Sequence, residues 1–259
     1  MAEKFDEYEK ILKRKPQVKI SGSGRVSDEE VSISGSGMII GDFETKVFKV
    51  SGSATVDGKV IADYIKVSGS ASFNDDVEAN EIIISGSSSF KGKVTCKLMK
   101  ISGSCKLLSD LDVVDSLKLS GSIKVDGNLH SKGLVDLKGA FTIEGEIIAR
   151  KFYADVKGKS EVKGGIKAED VEIYGGVHET GIVLFGITII GLKRKGAKLY
   201  TSNIYAKNRI HIEGVVCDNV EGSIVEIGRG CEIKGKVRYK DRVEVHSEAK
   251  LANPPEKVE

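Results

Sequence analysis

Tryptophan is absent from this 259-residue chain, proline occurs three times, and aromatic residues make up only 6%. Platforms for single-stranded nucleic acid stack bases on aromatic rings, so the scarcity argues against nucleic acid as a partner. An excess of one charge is also lacking: 40 Lys and Arg stand against 38 Asp and Glu, a net charge of +2. That balance exerts no global pull towards anionic polymers or membranes. Nothing approaches 18 consecutive apolar residues, and the amino terminus is acidic and amphipathic, unlike a signal peptide. The expectation is a cytoplasmic protein, with association to a membrane surface left open.

The machinery of catalysis is equally sparse. His130, His178, His211 and His246 are scattered without metal-ligand spacing. No G-x-x-x-x-G-K-[ST] phosphate loop and no strand-to-helix nucleophile elbow occurs. Asp75, Asp76 and Glu78 cluster, as a corner turn would place them. Cys96, Cys105, Cys217 and Cys231 form no CxxC, and Cys96 and Cys105 fall on inward phases as small apolar fillers. We expect no enzyme, no catalytic residue, no metal and no cofactor.

What the chain has instead is recurrence. Ser-Gly-Ser begins at Ser21, Ser34, Ser51, Ser68, Ser85, Ser102 and Ser120, in steps of 13, 17, 17, 17, 17 and 18 residues. The serines then fade, but glycines at Gly139, Gly158 and Gly175 keep the frame. A fixed period in this range marks a repeat architecture. Within one period, Phe48, Val50, Gly52, Ala54, Val56, Gly58, Val60 and Ala62 alternate with polar residues, the two-residue rhythm of a strand. The next apolar residue, Ile65, comes after a step of three, which turns a corner and restores phase. A chain winding once per 17 or 18 residues sets Ile65 over Phe48, Val67 over Val50 and Gly69 over Gly52. The fold class is therefore all-β, a parallel β-solenoid. Its inward column includes Phe73, Phe90, Met99, Ile101, Leu117, Phe141 and Ile173. We expect the corner glycines to face inward, opposite bulk such as Phe73 and Phe90. Serines on either side of them form two outer hydroxyl ladders.

Five segments follow. Residues 1–16 read as a short amphipathic helix or tail, with Phe5, Tyr8, Ile11 and Leu12 at helical spacing, serving as an end cap or a tether. Residues 17–176 form the solenoid, starting with a first coil shortened to 13 residues. Residues 177–200 interrupt it: an apolar run holding Leu184, Phe185 and Ile187 precedes Lys193-Arg194-Lys195. This is a buried strand pair, a strand crossing the solenoid, or an exposed apolar loop with a basic flank suited to contact with a membrane or partner, another copy included. Residues 201–250 resume coiling, and 251–259, with Pro254-Pro255, read as a disordered tail. One outer slot carries Lys49, Lys66, Lys100 and Lys118, then Asp136, Asp155 and Glu172, so that edge is basic at one end and acidic at the other. Antiparallel side-by-side packing of two rods would use it directly.

The tandem Ile-x-Val-Ser-Gly-Ser-x-x-Val-x-Gly-x-Val-x-Ala units resemble the bactofilins, over roughly residues 18–176 and more loosely over Ile227–Val245. The resemblance implies a right-handed parallel β-helix that assembles end to end, without nucleotide, into filaments serving as a bacterial or archaeal cytoskeletal scaffold. The chain is longer than the usual core and carries the interruption. It is closer to the long Ser-Gly-Ser subgroup of polymer-forming cytoskeletal proteins. The partner is then the protein itself, through exposed ends whose candidate residues are Val18, Ile20 and Val26 at one end and Val243, Val245 and Leu251 at the other. The alternative is a non-catalytic binding module that uses the serine ladders or residues 183–195 to hold a membrane, wall polymer or protein. An ice-binding solenoid would show threonine ladders and a secretion signal, neither of which is present.

Overall fold

The computed structural model describes residues 16–27, 29–175, 182–184, 187–189 and 197–259. Among them every regular element is a strand, and 26 of the strands join one continuous sheet system.

One lap shows how the sequence builds the rest. Strand Val60–Val67 is followed by strand Ser70–Phe73. Val60, Ala62, Ile65, Val67, Ala71 and Phe73 are buried, while Ile61, Lys66 and Ser70 face solvent. The step of three after Ala62 falls at Asp63 and Tyr64, where two successive side chains point away from the core. The lap pairs in parallel with those before and after it, Phe48 with Ile65 and Ile65 with Ile82. The same file runs from Val31 through Phe48, Ile65, Ile82, Met99, Leu117, Val135, Phe152, Val171, Ile210 and Val225 to Val243. That file counts twelve laps, and at a strand spacing of about 4.8 Å it spans a little under 60 Å.

Apolar burial drives the winding, because no lap can enclose an interior alone. Phe48 meets Phe73 edge-on at 5.9 Å, and Phe73 lies flat on Phe90 at 4.7 Å. The four described cysteines are free and buried. Desolvation raises all four thiols, Cys96 to about 12 and Cys231 to about 11.

The corner glycines have a different cause from the one expected. Gly52, Gly69, Gly86, Gly103 and Gly121 are half-buried and do not face the opposite wall. A Cβ on each would run along the stack into the carbonyl oxygen of the glycine one lap earlier. The laps approach so closely there because the corner amides bond between laps. Ser68 and Gly69 N–H both donate to the Val50 carbonyl (2.8 and 3.2 Å), and Ser70 N–H donates to the Gly52 carbonyl (2.8 Å). The constraint is contact between backbones, not φ, since none of these glycines has a positive φ.

Two expectations about the segments need correcting. The first lap is not a shortened parallel coil. Gln17–Ser21 runs antiparallel to Ser36–Ile40, and Gly24–Val26 antiparallel to Glu30–Ile33. The chain therefore enters backwards, turns at Ser27–Glu30, where Ser27 N–H donates to the Glu30 carbonyl (2.9 Å), and only then begins to wind. Alternation buries the same face whichever way a strand runs, so the pattern alone does not reveal the reversal.

The tail is not disordered. Glu256–Lys257 pairs in parallel with Arg238 and Tyr239, and Val258 N–H donates to the Tyr239 carbonyl (2.8 Å). Pro254 and Pro255 sit at the corner before this strand, where the ladder asks for no N–H.

The interruption does not separate two stacks. Leu199–Thr201 pairs with Ser160–Val162, and Asn203–Ile212 with Ile166–Tyr174. The insertion leaves one corner, after Tyr174, and the next lap stacks as if it were absent. Within it, Ile182–Leu184 and Ile187–Ile189 pair antiparallel. The expected amino-terminal helix lies outside the described residues.

Candidate assembly surfaces

The two ends differ. At the amino-terminal end, Val18 and Ile20 are half-buried and pack on the core, closing it with the reversed lap, whereas Val26 is 51% exposed. At the carboxy-terminal end, Val243 and Leu251 are half-buried against the core and Val245 is 40% exposed. Among the described residues, Gln17–Ser21, Gly24–Val26 and Glu256–Lys257 each pair on one side only. Each thus offers a row of unpaired backbone groups. The candidate end residues therefore do gather at two opposite ends of the stack.

Phe5, Ile11, Leu12, Phe185, Lys193, Arg194 and Lys195 lie outside the described residues. Leu184 and Ile187 are paired across the short antiparallel strands.

The serine rows are as expected. Ser53, Ser70, Ser87 and Ser104 stack in register and are exposed, beside Thr55, Ser72 and Ser89. Together they line a shallow open trough of about 420 Å³. It has small side chains and no charge.

The charged slot is richer than the sequence suggests. By strand register it holds Lys49, Lys66, Ile83, Lys100, Lys118, Asp136, Tyr153, Glu172, His211, Glu226 and Glu244. Asp155 does not belong to it: Asp155 aligns with Lys138 and Tyr174, one column over. The error comes from aligning laps on Gly139 and Gly158, because that lap takes up its extra length after the strand, at the corner beyond Val156. The sign change from four lysines to four carboxylates survives the correction.

Local pairing differs along this column. Lys49 meets Glu30 at 3.3 Å and Lys100 meets Glu81 at 3.0 Å. Glu226 collects Arg209 (2.6 Å), Arg242 (3.0 Å) and His211 (3.1 Å), and the hydrogen bond from Arg209 leads in holding its carboxyl below the usual range. Tyr153, Tyr174 and His211 form a tilted ladder with ring centroids 5.6 and 5.2 Å apart. Burial, then the nearby Glu172 charge, raises the Tyr174 phenol. Neither the Glu226 hub nor this ladder is legible in the sequence. Aligning laps on their buried pairs rather than on glycines would have exposed both.

Among the described residues no group of three His, Cys, Asp or Glu is placed to hold a metal ion. No described helix is long and apolar enough to cross a membrane.

These features define a β-solenoid with two strand-edged ends and flat polar faces. Residues 12–113 match the family model of the bactofilins, described as polymer-forming cytoskeletal. The matched stretch takes in the reversed lap and the most regular Ser-Gly-Ser laps. No curated protein and no solved structure matches the chain.

Proposed function

We propose that this protein is a non-catalytic cytoplasmic scaffold that polymerises end to end through its terminal laps, without nucleotide. The observation that carries the reading is the carboxy-terminal lap. There a continuous apolar interior stops at Val243, Val245 and Leu251, under a strand edge with no further partner among the described residues. Stacking a second molecule on that edge covers the apolar cross-section and pairs the edge in one step. The domain match supports the polymer-forming part of this reading. The reversed first lap shapes the other end. Its edge runs against the winding, so a partner whose strands follow the winding in the same sense joins it antiparallel.

Negative-stain microscopy of purified protein without nucleotide tests the proposal. Filaments or short chains with an axial repeat of about 60 Å, or a multiple of it, are expected. The double variant Val245→Glu, Leu251→Lys should shorten them while leaving the β circular dichroism intact. Monodisperse single rods of the wild type at high concentration would overturn the reading.

A further inference from the structure

We infer that two copies of this chain also associate side by side, antiparallel, through the face that carries the lysine-to-carboxylate column. The inference concerns lateral contact and stands apart from the end-to-end reading. It rests on three observations.

The first is the order of charge. Lys49, Lys66, Lys100 and Lys118 occupy the early laps of one straight file, and Asp136, Glu172, Glu226 and Glu244 the late laps. Each successive residue is one strand spacing, about 4.8 Å, further along. Two rods packed parallel and in register would set lysine on lysine. A two-fold axis crossing the Asp136 lap instead sets Lys100 against Glu172, Lys66 against Glu226 and Lys49 against Glu244 of the second copy. Symmetry repeats each of these contacts. It also sets Lys118 over Tyr153, a cation on an aromatic face. The one like-charge contact is Asp136 on Asp136 of the second copy, at the axis, which Lys138 offsets from 3.2 Å.

The second is the state of the charges in the single rod. Lys66 and Lys118 make no ion pair among the described residues, and the pairs of Lys49 and Lys100 are half-exposed. Exposed pairs of that kind are weak, so they do not hold the lysines against a better partner. Of the facing carboxylates, Glu172 meets no cation among the described residues, and Glu244 meets Arg242 at 3.5 Å with both side chains mostly exposed. Glu226 is already held by Arg209, Arg242 and His211, which leaves Lys66 the weakest of the contacts.

The third is size. The strand segments that carry the slot are about four residues, or roughly 13 Å, wide, and twelve laps long. That gives on the order of 700 Å² per copy, close to the roughly 800 Å² that a standard stable interface buries on each side. The contact is polar and charge-rich, so salt should dissolve it well before it affects apolar end stacking.

Charge exchange tests the inference on the full-length chain. Lys49→Glu with Lys100→Glu makes one variant, and Glu172→Lys with Glu244→Lys the other. The readout is the cross-section in small-angle scattering at about 50 mM salt, which reports side pairing whatever the length of the particle. The wild type should show a doubled cross-sectional mass that falls to the single-rod value near 0.5 M salt. Each variant alone should pair at least tenfold more weakly. Their equimolar mixture should recover pairing, because every altered contact then meets its opposite. Circular dichroism confirms that both variants are folded. A single-rod cross-section for the wild type, variants that pair as well as the wild type, or a mixture that stays single would each overturn the inference. Particle length is read separately by microscopy, so short particles with paired cross-sections would count against end stacking alone.

Discussion

The early laps and the late laps reach the same stack by different means. From Val31 to about Leu119 the corner is Ser-Gly-Ser, and each glycine lies against the carbonyl of the glycine below it. Beyond Leu199 that corner is gone; backbone bonds between laps persist, as from Gly228 N–H to the Ile212 carbonyl (2.7 Å), and side chains add to them. Asn219 bonds Asn203 (2.8 Å) and accepts from Lys236 N–H (2.8 Å), and the Arg209, Arg242 and Glu226 cluster ties three neighbouring laps. Lap length varies accordingly, with 16 residues from Ile204 to Val220 and 17 from Val220 to Val237. The comparison shows that a solenoid is held in register by its inward aliphatic file. The corner is a local choice: glycine packed on the carbonyl of the glycine below in one half, mixed residues bonded through backbone and side chains in the other.

The sharpest way to break the comparison is to put a methyl group at each kind of corner. Gly69→Ala drives its Cβ into the Gly52 carbonyl, backbone against backbone, so that two laps must separate. A loss of roughly 3 kcal/mol in urea denaturation is expected. At Gly228, on the matching corner of a late lap, the nearest atom is Cγ of the Glu213 side chain, at 2.6 Å, and it can swing aside. Gly228→Ala should cost no more than about 1 kcal/mol. Equal costs at the two sites would erase the distinction between the halves.

Acid should act on the late laps more than on the early ones. The Glu226 carboxyl is held below its ordinary value of 4.5, chiefly by Arg209. A carboxyl depressed by folding stabilises the native state above its unfolded pKa and loses that contribution as pH falls through the folded value. Denaturation midpoints compared at pH 6 and pH 3 should therefore drop further for the wild type than for Glu226→Gln. An identical drop in both would remove Glu226 from the account.

The smallest effect concerns the thiols. Cys96 and Cys105 sit in the early half, Cys217 and Cys231 in the late half, all buried with raised pKa values. At pH 7.5 none should react with a thiol reagent in the native state. In mild denaturant the order of labelling, read by peptide mass spectrometry, reports which half opens first. We expect Cys217 and Cys231 to label first, because their laps lack the glycine corner.

Much of this was legible beforehand. Phe73, Phe90, Met99, Leu117 and Phe141 were expected inside and are buried, and Gly52 stacks with Gly69 and Gly86 in one file. The serine rows face solvent as alternation requires. The candidate end residues fall at the ends, since the order of laps along the axis follows the order of the chain. What escaped notice depends on register between laps. Asp155 was put in the wrong column because a corner can absorb two extra residues without changing the pattern inside the strand. Arg209, Glu226 and Arg242 stand on three successive laps and meet because register sets one lap over the next, while Tyr174 joins His211 beside them only once the insertion has been looped out.

The amino-acid order alone determined that the chain winds, how often, and which side chains fill the interior. A two-residue rhythm broken once per period has no other way to bury its apolar face. Only the tertiary structure decided which way the first lap runs, where the final residues pair, and which charges share a file. Strand alternation is blind to direction, and register between laps is set by contacts across the stack, not along the chain.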